Sequence, residues 1–201
     1  SFARLAPSTA PLSASFFDRV IAWPLSEGAA KASVADIVER AGSSVGSLYH
    51  HFGGKTEIFL ALYEEYQAAQ ETNASAAVAR ARAEGASGSV ELFIVGTRAF
   101  LDGAWQQRDV VRLFLDGDTP PGFEGLRRSR TQEWTRQNSV LLGTGGGTAV
   151  DRLFAAMLTT ATAEAGREIA ICPTEDEAVE LANATIDLVR RVLAMPREAS
   201  S

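Results

Sequence analysis

Apolar residues recur along the chain at intervals of three and four, and nowhere alternate with polar ones through a β-branched stretch. That is the period of amphipathic helices and carries no strand signal, so the expected fold class is all-α. The first expected helix covers about 13–27, with Pro24 kinking or shortening it and Gly28 behind it. Ser33 caps a second, short helix, with Asp36 three residues on resembling a capping box and Val34, Ile37, Val38 and Ala41 as the stripe; Gly42 ends it. Ser43-Ser44 restarts the chain into a third helix carrying Leu48, Tyr49 and Phe52, stopped by Gly53-Gly54.

Lys55 opens a longer helix with Ile58, Phe59, Leu62, Tyr63 and Tyr66 on one side, expected to reach about Ala83 or to break near Asn73. GASGS (85–89) reads as a linker. Helices are expected over 90–105, 110–115 and 124–142, with DGDTPPG (116–122) as a turn and GTGGG (143–147) as a loop. The last two, about 148–165 and 174–195, are joined by GREIAICP, and Thr174 stands three residues before Glu177 at capping-box spacing. The total is about nine helices with no repeat period.

Composition excludes more than it selects. Among 201 residues 46% are apolar and 22% charged, ordinary for a globular protein. The longest apolar run, Leu153–Leu158, falls far short of the ~20 residues of a membrane helix. The first residues lack a basic and then apolar pattern, so the expectation is a cytoplasmic protein without a membrane segment. Cys172 is the single cysteine, which leaves no internal disulfide and no cysteine-based zinc site. The two histidines are adjacent, DGD has no further carboxylates at calcium-loop spacing, and GTGGGT lacks the lysine of a phosphate loop. No metal, no cofactor and no enzyme activity are therefore expected.

Charge alters the picture. The net charge is −6, yet residues 1–56 hold five basic and four acidic side chains, and the acidic excess lies entirely beyond them. A mildly positive head on an acidic body suits a small module that meets an anion. Two short helices joined by AGSS are what a helix-turn-helix requires, although two small packed helices would show the same spacing. The second helix, SSVGSLYHH, presents Ser44, Val45, Ser47, Tyr49 and His50 away from Leu48 and Phe52, and Gly46 permits close backbone approach.

The stretch SVADIVERAGSSVGSLYHHFGGKTEIFLAL (33–62) resembles the N-terminal signature of the TetR (tetracycline-repressor) family of bacterial transcription regulators. Ser33-Val34, Ile37, Ala41-Gly42, Gly46, Leu48-Tyr49, His51-Phe52 and Lys55 carry the likeness. It implies a helix-turn-helix DNA-binding domain over 1–54 and a ligand-binding and dimerisation domain over 55–201. The implied DNA-contacting residues are Ser33, Ser44, Val45, Gly46, Ser47, Tyr49, His50 and Lys55. Ser33 and Ser44 are helix caps first, and Val45 suits a thymine methyl. His51 reads as structural beside Phe52. Lys55 is a cation at a helix start, where the dipole favours anions, which makes sense if a phosphate sits there.

The resemblance further implies a ligand cavity in the second part, for a small apolar or amphipathic effector. The expected lining is Phe93, Arg98, Asp102, Trp105, Phe114, Trp134 and Met157, with Gln106 and Arg112 as further polar groups. It also implies a homodimer through about 148–165 and 174–195, where Val150, Leu153, Phe154, Met157, Leu158 and Ala161, and then Val179, Ala182, Ile186, Val189 and Leu193, form the apolar stripes. The function expected is a ligand-responsive repressor dimeric on a palindromic operator. The alternative is an activator or helical interaction protein without a small-molecule effector.

Overall fold

The computed structural model describes residues 54–115, 119–144 and 147–195, and the expected helices over 13–27, 33–42 and 43–53 lie outside them. Contacts divide the chain into two units, Ser1–Ile58 and Phe59–Ser201. The described residues form six α-helices and no strand. They are α1 (Lys55–Ala83), α2 (Ser89–Gln106), α3 (Arg108–Leu115), α4 (Phe123–Leu141), α5 (Ala149–Ile171) and α6 (Glu175–Ala194).

α1 runs unbroken through Asn73 for 29 residues. Its buried positions, from Phe59, Leu62, Tyr63 and Tyr66 through Gln70 to Ala74, Ala77 and Val78, recur every three or four residues and keep one stripe inward. Asn73 is held there because its side-chain amide donates to the Ala99 carbonyl of α2 at 2.8 Å. The helix ends on Gly85, whose φ of +104° is a left-handed conformation that glycine adopts at no steric cost. The Gly85 N–H reaches the Arg82 carbonyl and the Ala86 N–H that of Ala81, the paired bonds of a Schellman ending.

α5 is the central helix, packed against α2, α3, α4 and α6. It starts on a reciprocal capping box: the Thr148 hydroxyl accepts from the Asp151 N–H, and the Asp151 carboxylate accepts from the Thr148 N–H. It also outruns the end expected near Ala165, continuing to Ile171. Ile169 and Ala170 are buried to within 1%, and that burial outweighs the helix-weakening effect of Gly166. Pro173 is the effective stop, since Cys172 before it is extended (φ −54°, ψ 140°). The carbonyls left over at this end are taken up by Arg112 of α3, which donates to Ala170 and Cys172 at 2.7 and 3.3 Å. Arg112 is thus a helix cap rather than a ligand group.

Two buried clusters stand out among the described residues. One gathers Leu101 and Ala104 of α2, Ile169 of α5, and Ala178, Ala182 and Ile186 of α6. The other gathers Phe93, Leu142, Leu158, Val189 and Leu193. The α6 stripe of Ala182, Ile186, Val189 and Leu193, expected at a dimer interface, therefore lies in the subunit's own core. Left exposed are Val150, Leu153, Met157 and Ile171 on α5, Val179, Leu188 and Val192 on α6, and Met195 directly after it.

Candidate ligand cavity

Five helices leave a cavity of about 120 Å³ between them. α1 contributes Tyr63, Tyr66 and Gln67; α2 contributes Gly96, Thr97 and Phe100; α3 contributes Val111, Phe114 and Leu115. From α4 come Phe123, Arg127, Thr131, Trp134 and Asn138, and from α5 Thr159, Thr162, Ala163, Gly166 and Arg167. On each of the last two helices these positions recur at three- and four-residue steps, so a single face of each looks into the space.

Aromatic rings set the walls. Tyr63 meets Phe114 and Phe123 edge-on, with centroids 5.1 and 4.9 Å apart, and Phe100 meets Trp134 at 5.8 Å. Edge-to-face pairs of this kind fix ring orientation beyond simple area burial. Gly166 makes room for one of them: a Cβ there would stand 2.8 Å from the Phe100 ring. Polar side chains in the wall are mostly committed to each other. The Trp134 indole N–H donates to Gln67 Oε1 at 2.9 Å, and the Asn138 amide donates to Thr159 Oγ1 at 2.9 Å. The Thr162 hydroxyl is the exception, buried and without a hydrogen-bond partner.

The electrostatics are one-signed at the surface of the space. Arg127 and Arg167 line it, and no carboxylate does. Each guanidinium is paired three residues back on its own helix, Arg127 with Glu124 and Arg167 with Glu164, and Arg130 pairs with Glu64 of α1. Burial raises the pKa of Tyr63, while Arg127, Arg167 and Arg130 oppose the rise, so the three cations act on that hydroxyl. Tyr66 is more deeply placed, and burial pushes its pKa up to about 12 despite the hydrogen bond that its oxygen accepts from Gln70.

Of the residues expected to line a ligand site, Phe114 and Trp134 lie in the wall of this cavity. Phe93 sits two turns before Phe100 and packs into the second core cluster. Arg98 and Asp102 form an ion pair at 2.9 Å, and Arg98 also bonds Asn183 of α6 at 2.6 Å. Trp105 lies against the first core cluster beneath the Arg108 guanidinium, 4.3 Å from its ring centre. Met157 is 61% exposed, on the face of α5 turned away from the cavity residues. Those five are therefore placed by core, salt-bridge or surface demands instead. Ser33, Ser44, Val45, Gly46, Ser47, Tyr49 and His50 lie outside the described residues. Lys55 begins α1.

The missed residues had a signal. Thr159, Thr162, Ala163 and Gly166 form a stripe of small and hydroxyl-bearing residues on α5, and Arg127, Thr131, Trp134 and Asn138 recur at three- and four-residue steps on α4. Among the described residues there is no cluster of His, Cys, Asp and Glu able to hold a metal, and no helix long and apolar enough to cross a membrane.

Residues 25–62 match the family described as bacterial regulatory proteins, tetR family. No curated protein matches the chain. Among solved structures, the fatty acid degradation regulator FadR from Bacillus halodurans has a similar fold, with a TM-score of 0.61 at 15% identity over 91% of this chain and 98% of that one. The likeness is one of fold, and the segment that carries the family signature includes the start of α1. Residues 25–62 thus carry the signature of the tetR family of bacterial regulatory proteins.

Proposed function

We propose that the protein is a homodimeric repressor whose grip on operator DNA is released by a small molecule bound in the cavity. The observation that carries this reading is a DNA-binding family signature over 25–62 joined to a helical unit with an aromatic-walled cavity. In this reading residues 1–54 form a helix-turn-helix headpiece, giving about nine helices in all, and 55–201 form the sensor and dimer part. Ser33, Ser44, Tyr49, His50 and Lys55 hold the backbone of the DNA, while Val45, Gly46 and Ser47 face the bases. A single headpiece meets too few phosphates to bind tightly, so two are needed on a palindromic site. The apolar side chains left exposed on α5 and α6 supply a surface through which two copies can pair. Linkage supplies the response: the effector binds better to a dimer whose two headpieces are wrongly spaced for half-sites about 34 Å apart.

The test is binding of DNA selected from random sequence, at several salt concentrations. Lys55→Ala should weaken binding to all sequences alike and lower the salt slope by roughly one per subunit. Substituting Val45 or Ser47 should instead change the preferred sequence at about 1–3 kcal/mol per lost base contact. A Lys55→Ala protein with altered preference and an intact salt slope would overturn the placement of this module on DNA.

A further inference from the structure

We propose that the cavity selects an organic monoanion, a carboxylate carried on an apolar body about one ring in size. This rests on reading the cavity as the effector site and adds the chemical class of what it takes.

Size sets the body. A space of about 120 Å³ is close to the ~150 Å³ apolar cavity that accepts benzene, and the rings of Phe100, Phe114, Phe123 and Trp134 present edges and faces to such a guest. Sign sets the charge. The lining holds two guanidiniums and no carboxylate, so a cation would enter against repulsion and leave its own charge unpaired. Arg127 and Arg167 are 45% and 32% exposed, which puts them at the solvent side of the space, where a carboxylate head can stay partly hydrated. Their present partners, Glu124 and Glu164, are exposed neighbours on the same helix, and such pairs are weak. A guanidinium has five N–H donors and can hold a second carboxylate beside the first. Thr162 is also among the lining residues, and its hydroxyl is buried without a hydrogen-bond partner.

Benzoate, benzamide and toluene separate these contributions, because they share a ring and differ in the head group. Calorimetric titration of the full chain should give benzoate an affinity about tenfold or more above benzamide, falling with added salt. Arg127→Gln and Arg167→Gln should each erode that preference, weakening benzoate more than benzamide, and Arg167→Lys should retain part of it. Ala163→Phe, which fills the space with a ring, should abolish binding of all three. Equal affinity for acid and amide, with both lost in Ala163→Phe, would overturn the anion inference and leave an apolar effector site standing. Failure of all three probes to bind, or binding indifferent to Ala163→Phe, would overturn the effector-site reading as well.

Discussion

Tyr66 illustrates how one buried hydroxyl ties chemistry to stability. Its ring tilts against Phe114, 5.8 Å between centroids, and burial is the main reason its pKa stands near 12 against an ordinary 10. The folded state therefore favours the neutral phenol, so the stability this group confers is complete below pH 10 and lost as pH rises from there through about 12. Ultraviolet titration should show a tyrosine ionising only as the near-ultraviolet circular dichroism collapses, and Tyr66→Phe should remove that coupling. All three tyrosines ionising reversibly near pH 10, with the fold intact, would contradict the burial of Tyr66. None of this is legible in the sequence, because the helical spacing of Tyr63 and Tyr66 says they face inward and nothing about what they meet. Arg112 teaches the same lesson: its spacing beside Trp105 suggests a ligand group, whereas its use depends on where α5 ends, 58 residues further on.

Helices are easier to read than their uses. The stripe of α1, the glycine-terminated linker after it and the turn before α4 follow from local spacing and turn chemistry. The C-terminal end of α5 escapes that reading for an identifiable reason. Gly166 reads as a helix breaker, yet it is kept in the helix by the approach of Phe100 and by the burial of Ile169 and Ala170. Gly166→Ala makes this testable. Helix propensity alone favours alanine, but the new Cβ at 2.8 Å from Phe100 Cε1 has to push a packed ring. The expected outcome is a net loss of about 1–3 kcal/mol in denaturant unfolding, with Phe100 turned toward the cavity. A more stable variant would mean the ring yields freely and the contact is not what fixes it.

In the proposed homodimer, the pairing surface depends on which apolar residues the core of the single chain has already used. Ile186 is 8% exposed and sits with Leu101 and Ile169, so Ile186→Glu would bury a charge and unfold the subunit. Leu188, at 57% exposed, is the appropriate probe of association. Leu188→Glu should leave helix content unchanged and convert a dimer to a monomer by light scattering; an unchanged mass would move the interface off α6. Periodicity can say that α6 is amphipathic, but a helix with apolar residues on two faces does not announce which face the subunit keeps. The family signature is legible for the opposite reason. It lies in one contiguous stretch, whereas the cavity is assembled from five helices spread over a hundred residues.

Of the two tryptophans among the described residues, Trp105 and Trp134, the second is part of the cavity wall. Its indole N–H is bound to Gln67 and its ring lies against Phe100, so it is held rigidly at the boundary of the space. Trp105 stands apart from the lining, beneath an arginine. The protein thereby carries a built-in optical gauge of occupancy. A guest that displaces solvent from the cavity changes the polarity around Trp134, and its fluorescence should shift on saturation with benzoate. Trp134→Phe should silence that signal while Trp105→Phe preserves it, and the reverse pattern would mean the guest lies elsewhere. Entry and release can then be followed in real time without attaching a dye.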